Sequence, residues 1–438
     1  MDYPNSKAFF ERAQKVLPGG VSRNTLLRGA HPLYVQKGKG CIVTDVDGVE
    51  RIDFANNMAS HIHGHAFEPI IEAVSNQLQL GTAFTMATEA EILFAEHLCS
   101  RSNNFGKIRF VNSGTEAVMA GMKAARAFTG RSKIAKVEGS YHGAYDYAEV
   151  SQNPTPKNWG DIDHPNPVAL AQGTPKSVMD DMVILPFNEP TKAVALLDEH
   201  KDDIACVLID PVPHRIGMSQ VGKDFVSALG KWAKAHGALL MFDEVITFRT
   251  EFGGAQQRFD VTPDLTSMGK MIGGGFPVGA LAGNDDVMQV FVNGRLPHSG
   301  TFSANPITMT AGRVAMENFD KDAVSRLNKL GDYARKNLEE AFMIADVSAS
   351  VTGAGSLLRM HMKPSVPRNF REAHPSAVEK QALTTLINDL YDDGFMMIHT
   401  GAAALSTAMS EDEIDRLAEA VLKSMRKIKP LLSQGDIT

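Results

Sequence analysis

The spacing of apolar positions changes along the chain and divides it. Phe9, Ala13, Val16 and Leu17 recur at helical spacing, which predicts an amphipathic helix over residues 6–17, stopped by Pro18-Gly-Gly20. Residues 34–54 alternate around Asp45-Val-Asp-Gly48, the pattern of a hairpin of short strands. Beyond residue 66, β-rich runs at 108–111, 134–137, 182–185, 204–209, 238–242 and 278–281 are mostly separated by helix-length segments such as 115–128 and 225–236. Continuous apolar strands with helical crossovers predict a parallel sheet covered on both faces. Residues 151–176 break this rhythm with Pro, Gly, Asn and Asp, as a functional loop or lid does. After residue 310 the pattern turns to long helices and a few short strands. The last helix opens on the capping box Ser410-Glu-Asp-Glu413 and lines up Ile414, Leu417, Ala418, Val421 and Met425 on one face. The fold class is therefore α/β. An N-terminal segment (1–65) and a C-terminal segment (311–438) build a smaller α+β domain beside a large central domain (66–310).

Composition narrows the function classes. The 438 residues are 43% hydrophobic and 22% charged, as in an ordinary globular protein. A net charge of -7 argues against a broad nucleic-acid or anionic-membrane surface. No apolar run approaches the roughly 20 residues of a membrane span, and the N-terminus lacks a signal-peptide pattern. Cys41, Cys99 and Cys206 are scattered and show no metal-ligand spacing, so no metal is expected. Their use fits a reducing cytoplasm.

Chemistry concentrates around one lysine. Lys270 stands in a short polar segment, Asp264-Leu-Thr-Ser-Met-Gly-Lys270, just before Gly273-Gly-Gly275, and Asp243 ends the apolar run Ala238-Leu-Leu-Met-Phe-Asp243. A phosphate-binding P-loop fails on Asp264 and Met271, and a dinucleotide fingerprint fails on Val278. A lysine amine can form a Schiff base with an aldehyde cofactor, and an aspartate can hold a protonated pyridine nitrogen. Further upstream, Val111-Asn-Ser-Gly-Thr-Glu-Ala117 joins a predicted strand to a predicted helix. Ser113, Gly114 and Thr115 there suit an anion, or a plain helix cap. Glu138-Gly-Ser-Tyr-His-Gly143 follows another strand. Tyr141 or His142 could stack on a flat heterocycle or be a satisfied core aromatic. Val245 could pack on the opposite ring face. A phosphate nest, an aromatic, an aspartate and a lysine at successive strand ends are what a pyridoxal-phosphate enzyme requires.

On these residues the chain resembles the class III aminotransferases, fold-type-I pyridoxal-phosphate enzymes. It is most similar to the branch of glutamate-1-semialdehyde aminomutases and β-amino-acid aminotransferases. Asn112-Ser-Gly-Thr-Glu-Ala, Tyr141-His-Gly, Asp243-Glu-Val, Pro263-Asp-Leu-Thr-Ser-Met-Gly-Lys, Gly273-Gly-Gly-Phe-Pro-Val-Gly-Ala and Gly300-Thr-Phe-Ser-Ala-Asn-Pro306 carry the likeness over nearly the whole chain. The resemblance implies a large domain around a mostly parallel sheet of the seven-stranded type and pyridoxal 5'-phosphate as cofactor. It makes Lys270 the Schiff-base lysine and proton carrier, and Asp243 the partner of the ring nitrogen. Ser113, Gly114 and Thr115 would bind the phosphate, Tyr141 with its neighbour His142 would line the ring, and Val245 would cover the other face. Thr301 would reach the phosphate in the partner subunit of an obligate homodimer. An amino donor and an oxo-acid acceptor are the implied partners. Residues 151–176 would be a mobile lid near this site.

Two departures bear on substrate. Aminomutases of this branch carry Gly-Gly-Val-Asn-Ser-Pro-Val-Arg near the N-terminus, and the final arginine falls here on Leu26. Arg23 instead takes the place of the carboxylate-binding arginine of β-amino-acid aminotransferases. A Gly-Asn-Met-Gly run is replaced by Pro213-His-Arg-Ile-Gly217, which puts Arg215 near the ring oxygen. Arg23 and Arg215 are thus the substrate candidates, with Arg28 as a further one; Arg249 reads as structural, paired with an acid, and His399 as a satisfied buried histidine. Three function classes stand: an aminotransferase; an aminomutase, epimerase or lyase on the same scaffold; and a cofactor-binding regulator without chemistry.

Overall fold

The computed structural model describes residues 3–27 and 29–433. Arg28, one of the arginine candidates, lies outside them. Three N-terminal strands come first: β1 (Val35–Lys39), β2 (Ile42–Asp45) and β3 (Glu50–Asp53), paired antiparallel. The turn at Asp45-Val-Asp-Gly48 works as expected, with Gly48 at φ 84°. The first helix, Pro4–Ala13, is shorter than its apolar spacing predicts. Val16 and Leu17 fall in the exposed turn that follows.

A seven-stranded sheet then fills the centre. Its strands are β4 (Lys107–Val111), β5 (Lys133–Val137), β6 (Met182–Leu185), β7 (Ile204–Ile209), β8 (Leu239–Asp243), β9 (Leu265–Gly269) and β10 (Gly279–Gly283), in the order β4-β10-β9-β8-β7-β5-β6. β10 alone runs antiparallel, to β4 and to β9. β7 and β8 are buried along their whole length, as the continuous apolar runs predict.

β9 is a correction. Leu-Thr-Ser-Met-Gly reads as a polar segment, yet it is a fully buried central strand. Its two hydroxyls find partners inside the sheet layer: Thr266 meets Gln256 Oε1 and Ser267 meets the Phe242 carbonyl, each at 3.5 Å. A hydroxyl that is satisfied locally loses the penalty that periodicity counts against it.

The smaller unit is finished by β11 (Ser350–Ala354), β12 (Leu357–His361), β13 (Phe395–Met396) and β14 (Ala402–Ala404). β11, β12 and β14 form a three-stranded sheet, while β13 joins β3 in parallel. That last pairing ties the two chain ends together. Helices Lys321–Ala345, Ala377–Asp392 and Glu411–Ser433 pack on this unit through Leu327, Leu338, Leu386, Leu417 and Val421. No helix of the described residues is long and apolar enough to cross a membrane.

Residues 151–176 are tied into the fold next to the loop that bears Tyr141 and His142, with Gly139 N–H on the Ser151 carbonyl. Within the segment, Ser151 N–H donates to the Val168 carbonyl and Gly160 bridges Pro165. Arg371 stacks over Trp159 and donates to the Trp159, Gly160 and Asp161 carbonyls while it grips Glu138 in an ion pair.

Candidate active site

Parallel strands deliver their C-terminal ends to one edge, and the functional side chains sit there. β8 ends in Asp243, 4% exposed. Its Oδ2 lies 2.7 Å from His142 Nδ1, and its Oδ1 accepts from the Val245 N–H at 3.1 Å. His142 is buried and its Nε2 has no partner. Burial pushes the His142 pKa down, against the pull of Asp243. β9 ends at Gly269, and Lys270 follows in a left-handed conformation, φ 51°. A lysine held there is strained, and such strain collects at functional sites. Burial lowers the Lys270 pKa to about 8, although Asp243 and Asp210 raise it. Far more of its amine is thus neutral at pH 7 than for an ordinary lysine, though still a minority.

Ser113 caps the helix Gly114–Thr129, with its Oγ accepting from Glu116 N–H at 3.1 Å. Thr115 Oγ1 accepts from Ala144 N–H at 3.2 Å. Both hydroxyl hydrogens remain free to donate, beside the open N–H groups of the first turn. Gly114 is required there: a Cβ would stand 2.9 Å from Val245 Cγ1. Val245 therefore lies directly against the helix start. Tyr141 is 45% exposed on the open side, with the Arg215 guanidinium 5.5 Å from its ring centre.

The remaining predicted residues lie farther out. Thr301 is exposed, in the turn before helix Pro306–Glu317. Arg23 is exposed and donates to Asn57 Oδ1 at 2.9 Å. Asn57 belongs to an unusual turn: Asn56, Asn57, Met58 and Ala59 all have positive φ, from 43° to 68°, and form one turn of left-handed helix. Arg249 corrects the expectation of an acid partner. It is fully buried, and its three nitrogens face Ser356 Oγ and the Ala59 and Leu405 carbonyls. One hydroxyl and two carbonyl dipoles, rather than a carboxylate, solvate this guanidinium. His399 is exposed rather than buried; its neighbour Thr400 meets His214 Nε2 at 3.0 Å.

Three buried groups escaped the sequence reading. Asp210 directly follows β7, much as Asp243 ends β8, and that parallel was legible. Burial and then Asp243 raise its pKa well above the usual range. Lys136 interrupts an apolar run on β5, and its Nζ donates to the carbonyls of Ser140, Ala148 and Val150 at 2.7–2.9 Å. It thereby ties down the loop that bears Tyr141 and His142. Glu244 is buried, accepting from Thr247 Oγ1 and the N–H groups of Ala255 and Gln256. Nothing in its sequence context marks it.

An arrangement of this kind suits a flat, cationic-nitrogen heterocycle with an anionic tail. Residues 26–426 match the family model described as aminotransferase class-III. The chain belongs to that family. It is 38% identical over 373 residues to a glutamate-1-semialdehyde 2,1-aminomutase of Methanothermobacter thermautotrophicus, covering 85% of this chain and 87% of that one. Among solved structures it is similar to an omega-transaminase from Sphaerobacter thermophilus, 42% identical, with a TM-score of 0.94 over 97% of both chains. A β-phenylalanine aminotransferase from Variovorax paradoxus is 31% identical, with a TM-score of 0.86 over 96% of this chain and 93% of that one. Pyridoxal 5'-phosphate is the cofactor of this class III enzyme. The residues present fit it: a buried carboxylate with open lone pairs, a strained lysine with a lowered pKa and a glycine-floored helix start converge on one strand edge.

Proposed function

We propose that this class III enzyme moves an amino group from an amino acid, a β-amino acid being favoured, or an amine to a 2-oxo acid. Lys270 carries this reading: a partly buried lysine, strained and with a lowered pKa, at the end of the strand beside Asp243.

Pyridoxal phosphate, when bound, supplies an electron sink for the substrate carbon that bears nitrogen. The chain does the rest. Asp243 holds the ring nitrogen with its proton, and His142 fixes the rotamer of that carboxylate through its 2.7 Å contact. Ser113, Gly114 and Thr115 hold the phosphate at the helix start. Tyr141 and Val245 bracket the ring. Lys270 Nζ would hold the cofactor and is the group that would move the proton at the carbon bearing the amino group. Asp210 stands close to Asp243 and Lys270, and burial and then Asp243 push its pKa up.

Arg215 and Arg23 are assigned to the substrate carboxylate. Arg215 forms part of the wall, partly buried over Tyr141, and Arg23 stands at the rim. A carboxylate one carbon farther from the reacting nitrogen suits the rim position, which favours a β-amino acid. The name of the 38% identical relative supports a second reading, an aminomutase on the same scaffold. Arg215 in place of a family asparagine, and Arg23, weigh against it. We assign the 66–310 stretch to cofactor binding and the two flanking segments to the smaller domain.

A homodimer is part of the proposal. Leu80, Phe84, Met86, Ile92 and Phe302 are exposed, and Asn305 Nδ2 on the Thr82 carbonyl holds the 80–86 segment beside the turn that bears Thr301. Apolar surface of this kind marks an interface, and Thr301 on it would reach a partner's phosphate. Sedimentation of an active monomer at micromolar concentration would remove the dimer. A cytoplasmic location completes the reading.

The test of function is direct. The yellow holoenzyme is mixed with a panel of amines, α-amino acids and β-amino acids. Loss of visible absorbance with release of an oxo product identifies transfer and its donor. An isomeric amino product without an oxo product would favour the aminomutase.

A further inference from the structure

The fold shows how it houses a buried arginine that has no acid partner. Arg101 donates from Nε, Nη1 and Nη2 to the Phe252, Met316 and Phe319 carbonyls. Arg249 likewise uses all three nitrogens. Arg359 does not follow this rule. It is 9% exposed, its Nη1 donates to the His214 carbonyl at 2.5 Å, and its buried Nε has no partner. Among the described residues, buried ion pairs join Arg51 to Asp45 and Arg371 to Glu138, and neither Arg359 nor Arg215 has one.

Its position explains what the free nitrogen can serve. Side chains alternate along β12. Leu358 and Met360 pack into the helical core, whereas Leu357 packs on the other face with Val212, Met218 and Ala402. Arg359 shares the face of Leu357 and so looks toward the 210–218 loop, which carries Asp210 and Arg215. Arg359, Arg215 and Lys270 all press on His214 electrostatically, so the three cations share one neighbourhood. A guanidinium donor left open inside a protein is costly unless an anion completes it.

We propose that Arg359 is a specificity-determining residue that, together with Arg215, holds a carboxylate of the substrate. The pocket then prefers an amino or oxo acid over a plain amine. The proposal rests on the reading of the chain as an amino-transfer enzyme and adds to it a residue from the smaller domain.

The test uses the holoenzyme, wild type and with Arg359→Met, Arg359→Lys and Arg215→Met. Calorimetry reads the affinity for propanoate and 3-phenylpropanoate, acids with no amino group to react. Kinetics read KM for an amino acid and for an uncharged-tail amine. Arg359→Met should weaken acid binding by about 30-fold or more and leave the KM of the amine unchanged. The double variant with Arg215→Met should bind acids little worse than either single variant, since both serve one carboxylate. Unchanged acid affinity in Arg359→Met, with an unchanged melting temperature, overturns the proposal and leaves Arg359 as a prop for the His214 carbonyl. If Arg359→Met fails to fold, Arg359→Lys decides: acid affinity lowered with amine KM intact supports the pair, and acid affinity unchanged overturns it. If the wild type binds acids through Arg359 but transfers no amino group from any donor, the amino-transfer reading fails and this one stands.

Discussion

The cofactor end and the substrate end of the site are built on opposite rules. At the cofactor end, side chains hang from strand ends and are cross-bonded: Asp243 to His142 and to the Val245 N–H, Ser113 to its own helix, Lys136 to three carbonyls. At the substrate end, Arg215 and Arg23 hang from loops, and Arg215 rests on an aromatic ring rather than an acid. The first end is preorganised before any ligand arrives, which is how a reacting centre is held. The second has cations waiting for charge that the ligand brings. Rigidity belongs where chemistry is constant, and incompleteness where selection occurs.

Removal of Lys270 should break the first end most severely. Lys270→Ala is expected to lower turnover by on the order of 10²–10⁴-fold or more, while pyridoxal phosphate still binds through the helix start. Steady-state transfer at wild-type rate by the purified variant would take Lys270 out of its role. Asp243→Asn should cost on the order of 10–100-fold, since a charge-assisted hydrogen bond contributes about 1.5–3 kcal/mol. It should also shift the absorption of the bound cofactor; an unshifted spectrum would argue against contact with the ring.

Acidity probes the same lysine. Its folded pKa is lowered to about 8, so the neutral amine dominates above that pH and is scarce below it. Cofactor capture by the apoprotein should therefore slow by about tenfold for each pH unit below 8, read by stopped-flow absorbance. A capture rate flat from pH 6 to 9 would mean that the lysine is not the capturing group.

The smallest effect is expected at the rim. Arg23→Ala should raise the KM of carboxylate substrates by less than about tenfold, because an exposed pair is screened by water. Arg215→Met should raise it more. The reverse order would move the main carboxylate station from the wall to the rim.

Much of this was legible in the sequence because the central sheet is written in nearly continuous apolar runs. Asp243 and the helix start at Ser113 stood at their ends. β9 was not, since Thr266 and Ser267 look polar until their partners inside the sheet are known. Segment 151–176 was only partly legible for a similar reason. Its composition is that of a free loop, but Arg371, some 200 residues away in sequence, pins it beside Glu138. Arg359 was missed because an arginine in Leu-Leu-Arg-Met-His gives no local hint of which sheet face it takes. Long-range satisfaction of polar groups is what a single sequence hides.

The left-handed turn at Asn56–Ala59 has a consequence for how this molecule tolerates change. Handedness inverts the usual ranking of helix formers. L-residues lose about 1–2 kcal/mol each in such a turn, and glycine, the poorest ordinary helix residue, becomes the most comfortable. Along most of the chain a glycine scan would read as damage. At Met58, whose backbone sits at φ 57°, the same substitution removes a penalty while it takes away a partly buried side chain. This stretch, which links the Arg23 rim to the Arg249 carbonyl cradle, is thus tuned by backbone chirality more than by side-chain volume.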